Sequence, residues 1–110
     1  MSFHALDAAL ALVQALRVPL RKIEARDRDL ALQVRRAAQS IALNLAEGQR
    51  RSGADRQHLF RVAGGSAAEL RAALLVASAW GYLDEASLAE PLGLLDRVLA
   101  MTWRLGGPRR

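Results

Sequence analysis

Apolar residues return every three or four positions along four successive stretches of this chain, and no segment alternates apolar and polar residues as a half-buried strand does. That period predicts helices. Ala, Leu, Arg, Gln and Glu, all good helix formers, dominate the lettering. The 110-residue chain is therefore expected to be all-α and a single domain over 1–105, with helices at about 3–24, 28–49, 53–80 and 85–105 and a flexible tail at 106–110. Short connections favour antiparallel neighbours, hence an up-down-up-down four-helix bundle. With two Trp, two Phe and one Tyr, the core must come from Leu, Ala and Val. The absence of cysteine excludes disulfides and thiolate metal sites, and the cytosol is the expected compartment. The N-terminus lacks the basic start of a signal peptide. The longest uncharged stretch, Ala72 to Leu83, is far short of the roughly 20 apolar residues of a membrane span, so no membrane segment is predicted.

Punctuation places the helices. Leu6, Leu10, Val13, Leu16, Leu20 and Ile23 mark the first, and Pro19 should kink or end it near Arg17. Asp27 or Asp29 can cap the second, whose inner face reads Leu30, Val34, Ala37, Ile41, Leu45 and Gly48. Ser52 and Asp55 resemble a capping box for the third, with Leu59, Val62, Ala63, Ser66, Leu70, Ala73, Leu74 and Ala77 inward. Gly81 is placed as its C-terminal cap. Asp84 or Ser87 opens the fourth, Ser87 to Glu90 being a full capping-box pattern, with Leu88, Leu92, Leu95, Leu99 and Thr102 inward.

What lies opposite those stripes predicts assembly. The back of the third helix carries Gly64, Ala68, Ala72, Leu75 and Ala79, and that of the second carries Leu32 and Leu43 beside Arg36, Gln39 and Arg50. Leu94 and Met101 are expected outward on the fourth. A helix apolar nearly all round is normally buried on both sides, which in so small a bundle calls for a second copy of the chain. The competing reading is that alanine merely fills exposed helical positions; Leu32, Leu43 and Leu75 argue against it.

Chemistry finds little support. Asp55-x-x-His58 has the spacing used in di-iron bundles, but those need the motif on two helices and this chain has one copy. Gly64-Gly65-Ser66 lacks the strand, lysine and wider spacing of a phosphate loop, and close helix packing explains the glycines better. No nucleophile elbow or zinc-hydrolase motif occurs, so the expectation is a non-enzymatic protein with no cofactor, no metal site and no catalytic residue. Ser40, Asn44 and Glu47 fall on one edge of the second helix and Ser66 and Glu69 on the matching edge of the third, as in a polar network that fixes register.

Fifteen arginines and one lysine give a net charge of +5. From Arg17 to Arg61 eleven basic residues face five acidic ones, against three and five from Val62 to Leu105. Arg35, Arg36, Arg50, Arg51, Arg56 and Arg61 are the candidate contacts to nucleic acid, because phosphate binding needs little beyond clustered cations. A high-GC genome would also enrich arginine. No aromatic stacking platform is expected.

The segment Ser40-Ile41-Ala42-Leu43-Asn44-Leu45-Ala46-Glu47-Gly48 resembles the bacterial four-helix bundle family called the 23S ribosomal RNA intervening-sequence proteins. Leu30 to Ala38, Gly65 to Leu70 and the turn Gly81-Tyr82-Leu83 extend the likeness, with Gly48, Gly65 and Gly81 as its packing and turn glycines. The resemblance implies a bundle assembled into a ring, a pentamer, as in the similar accessory proteins of diversity-generating retroelements. Those relatives are basic and work with nucleic acid and a reverse transcriptase. The function expected is a homo-oligomeric scaffold whose arginine-rich surface contacts RNA or DNA; the alternative is a module that recruits a protein partner without nucleic acid.

Overall fold

A computed structural model describes residues 3–107, and among them every regular element is a helix. They are α1 (His4–Ala15), α2 (Arg17–Glu24), α3 (Arg28–Gln49), α4 (Gly53–Ala79) and α5 (Glu85–Leu105). The first predicted helix is thus two segments, parted at Leu16. Pro19 offers no N–H to the carbonyl of Ala15 and its ring crowds that group, so the turn before the proline gives way.

Asp27 caps α3, its Oδ1 accepting from the Leu30 N–H at 3.0 Å. Asp84 caps α5 by accepting from the Ser87 N–H at 2.8 Å. Ser87 therefore lies inside the first turn, where its hydroxyl accepts instead from Lys22 Nζ at 2.8 Å, and the capping box read from Ser87 to Glu90 is not formed. Nor is the one at Ser52, whose hydroxyl makes no cap bond: Gly53 follows at φ +59°, a left-handed entry that takes the next amides away from it. Where α4 ends, Gly81 at φ +83° donates its N–H to Ser78 and Tyr82 donates to Ala77, both at 2.9 Å. This pair of bonds satisfies the last carbonyls and reverses the chain.

The long helices α3 and α4 pack along each other, α5 packs on α4, α1 lies against α5 and α3, and α2 lies against α3. The longest dimension, 42 Å, is the length of α4, whose 27 residues rise about 1.5 Å each. By length and composition α4 is apolar enough to cross a bilayer, but here Phe60, Ala63, Ala67, Leu70, Leu74 and Ala77 from it form core.

The α3 stripe is buried as expected. In α1 the stripe is turned by about one position: Ala5, Ala8, Ala9 and Leu12 face inward, Leu10 and Val13 are exposed, and Leu6 is half-buried. Alanines let α1 close on two neighbours at once, and the larger residues are left at the flanks. In α4 the buried ring is Phe60, while Leu59 is half-buried and Val62 exposed. A helix apolar on every side gives no unique inward direction from sequence, so the largest side chain decides. Leu94 and Met101 are not outward; both are half-buried beside Ala8 and Ala11 of α1. Gly106 is buried and caps α5 rather than belonging to a loose tail; Pro108, Arg109 and Arg110 lie outside the described residues.

Glycines set how closely α3 and α4 approach. A Cβ on Gly48 would fall 2.6 Å from Cε1 of the buried Phe60, whereas one on Gly65 would meet nothing within 4 Å. Gly65 is therefore not the packing glycine expected of it. Gly48→Ala should destabilise the fold by about 1–3 kcal/mol, the overpacking cost outweighing alanine's better helix propensity. Gly65→Ala should leave stability unchanged or raise it by up to about 1 kcal/mol. Urea unfolding of the two variants checks the difference in sign.

Candidate functional site

The polar edges of α3 and α4 meet as the residue pattern required. The Ser40 and Ser66 hydroxyls are 2.8 Å apart across the two helices. Asn44 Nδ2 donates to the Ser40 carbonyl at 2.8 Å and to its Oγ at 3.1 Å. The group is small, half-buried and internally satisfied, and it fixes the register of the helix pair. Glu47 stands apart, bonded to Arg51 Nε at 2.7 Å one turn on. Glu69 is exposed and joins neither, because the α4 backbone carries it beyond the Ser66 contact towards solvent.

Outside this seam, α3 presents Leu32, Arg36, Leu43 and Arg50, all exposed. Leu43 is 67% exposed. The outer face of α4 presents Ala68, Ala72, Leu75 and Ala79, again exposed, and Ala68 lies on its α5 side, in a depression shared with Leu99 and Trp103. Gly64 does not belong with them. A Cβ there would lie 3.1 Å from Thr102 Oγ1, so Gly64 serves the packing of α5 within its own chain. A second apolar surface, missed when the α1 stripe was read one position off, runs between α1, α2 and α3. There a groove of about 180 Å³ is lined by Val13, Leu16, Leu20 and Ala38 and flanked by Arg17 and Arg35.

The candidate arginines are all exposed, but not one cluster. Arg36 shares the outer face of α3 with Leu32 and Leu43, whereas Arg35 points the other way around the helix and comes 4.0 Å from Glu24 of α2. Arg50, Arg51 and Arg56 gather at the α3–α4 turn, where Arg56 donates to the Gln49 carbonyl at 3.4 Å and sits 5.7 Å over the Phe60 ring. Arg61 lines an open depression between α4 and α5 with Gly65, Ala68 and Trp103. Among the described residues no three His, Asp or Glu side chains gather as a metal ion would need, and Asp55 stands in the first turn of α4, where a carboxylate meets the helix dipole favourably.

One feature was not expected. Trp80 and Tyr82, on either side of Gly81, come into a near-parallel stack with ring centres 6.4 Å apart and 15° between planes. The Trp-Gly-Tyr run was the available signal, since a glycine reversal can bring its two flanking rings together.

Two carboxylates are held below their ordinary range. For Glu47 the hydrogen bond from Arg51 is the main cause, followed by the charge of Arg51 and then of Arg50. For Asp84 it is hydrogen bonding from Ser87, with a weaker pull from Lys22. Folding lowers both pKa values, so their stabilisation is complete above the unfolded carboxylate value of about 4 and is lost as pH falls through the lower folded values. Thermal midpoints should hold from about pH 7 to 5 and drop below about 4. A Glu47→Gln, Asp84→Asn variant should melt lower at neutral pH and show a shallower acid drop.

None of the curated proteins matches the chain. The model of one family, described as 23S rRNA-intervening sequence protein, matches residues 4–104, from the first residue of α1 to the last turn of α5. The chain belongs to the 23S rRNA-intervening sequence protein family.

Proposed function

We propose that this protein is a non-enzymatic scaffold, a four-helix bundle in which α1 and α2 act as one broken helix, that assembles with copies of itself into a ring and binds RNA or DNA through its arginines. The observation that carries it is the outer face of α3, where exposed Leu32 and Leu43 alternate with exposed Arg36 and Arg50. Leucines so placed need cover, and arginines so placed suit phosphate.

Two further observations support the reading. The exposed leucine-bearing face of α3 and the alanine face of α4 both differ in composition from the groove between α1, α2 and α3, and contacts between unlike surfaces close into rings where like surfaces give dimers. The family's description links it to ribosomal RNA intervening sequences, which agrees with a polyanion as ligand. In such an assembly Ala68, Ala72, Leu75 and Ala79 lie at the contact between copies, and Arg50, Arg51 and Arg56 project from the α3–α4 turn at its rim. Arg35 and Arg61 contribute from the flanks.

The alternative, a module that recruits a protein partner, draws on the mixed charge around the same groove, where Arg35 meets Glu24. Light scattering at micromolar concentration should give a multiple of 12.0 kDa; a mass of 12.0 kDa removes the assembly. Affinity for a short single-stranded RNA should fall steeply with salt, with a log–log slope of about −0.7 for each phosphate neutralised. Changing Arg35, Arg36, Arg50 and Arg51 together to Ala should reduce both affinity and slope. Binding that ignores salt and survives the change favours the protein-partner reading.

A further inference from the structure

The end of the molecule where the α2–α3 and α4–α5 turns meet is built in layers. Arg26 sets its guanidinium 5.5 Å from the centre of the Tyr82 ring, and Trp80 lies nearly parallel to that ring on the same turn. The Tyr82 hydroxyl reaches Asp27 Oδ2 at 3.5 Å, while the other oxygen of Asp27 caps α3. Leu83 is buried and the reversal at Gly81 is closed by two backbone hydrogen bonds, so the turn holds the rings in place before any ligand arrives. Trp80 is nevertheless 67% exposed.

We propose that Trp80 is a stacking platform for an unpaired nucleobase, with Tyr82 and Arg26 as the supporting layers. The exposed Trp80 ring offers a flat base a π face, and such stacking is how single-strand binders hold bases without reading sequence. The surroundings favour a base over an apolar protein plug. Arg26, Arg28, Asp84 and Glu85 are exposed in the two turns and at the helix starts that follow them, and a plug would strip water from these charges, whereas a stacked base leaves its own polar edges and theirs in solvent. Because cations and carboxylates nearly balance here, the base and not the phosphate supplies the binding. The site is also separate from the arginines of the α3–α4 turn: Arg50 and Arg51 follow the far end of α3, on the order of 30 Å away along its 22 residues.

The test uses a Trp103→Phe protein, in which Trp80 is the sole tryptophan, titrated with AMP, a short oligoadenylate and an abasic oligomer of equal charge. AMP and oligoadenylate should quench Trp80 and the abasic chain should not. In the wild-type background, Trp80→Ala should weaken oligoadenylate binding about 5- to 150-fold, the range for one stacked base, with an unchanged salt slope and Trp80→Phe in between. Unfolding curves matching wild type show that the variants fold. Emission unmoved by AMP and oligoadenylate, or equal binding by wild type and Trp80→Ala, overturns the proposal. So does emission that follows protein concentration and not AMP, which makes Trp80 a contact between copies. AMP quenching combined with indifference to the four arginine changes keeps the platform and removes the arginine surface; the opposite pair of results removes the platform alone.

Discussion

The close approach of α3 and α4 is the constraint from which the remaining architecture follows. Gly48 leaves room for the Phe60 ring, Ala63 and Ala67 present only methyl groups, and the Ser40 and Ser66 hydroxyls touch across the seam. Helices this near have space between them for few large side chains. Large leucines still fill part of the interior, as at Leu45, Leu70, Leu74 and Leu95. Leu10, Leu32, Leu43 and Leu75 end on the outside. The apolar exterior is thus not an accident of composition. It is what an interior sized for alanine leaves over.

Much of this was legible from the residue pattern, and its limits are instructive. The α3 stripe from Leu30 to Gly48 is flanked by charged and amide side chains, so its inward direction is unambiguous. The same logic located the seam serines and the reversal at Gly81. It misaligned α1, where alanine and leucine lie on adjoining faces and size alone favours burying the leucines, although the alanines allow closer contact. It also missed Phe60, because α4 is apolar on every side, and chose Gly65 where Gly64 does the packing. Of the two candidate caps of α5, Asp84 takes the position over Ser87, and Ser52 stands at the start of α4 as expected but makes no cap bond, because the left-handed Gly53 turns the next amides away from its hydroxyl. The Trp80 and Tyr82 stack depends on how a turn folds back, which helical periodicity does not describe.

Family membership and surface chemistry speak to different levels. Membership accounts for the helical frame over almost the whole chain. The arginines are distributed on it by local rules: those at the α3–α4 turn stand where the helix ends free them from packing, and Arg51 is partly occupied by Glu47. Arg36 has no such partner among the described residues and is the more available charge on the α3 face.

The break at Leu16 has a geometric consequence. A continuous first helix would have one axis and could lie along one groove. With the axis divided, α1 is free to settle between α3 and α5 while α2 leans mainly on α3 and carries Lys22 to the start of α5. Pro19 thereby works as an elbow, letting a single stretch of chain close one end of the barrel of helices and clasp the opposite end as well.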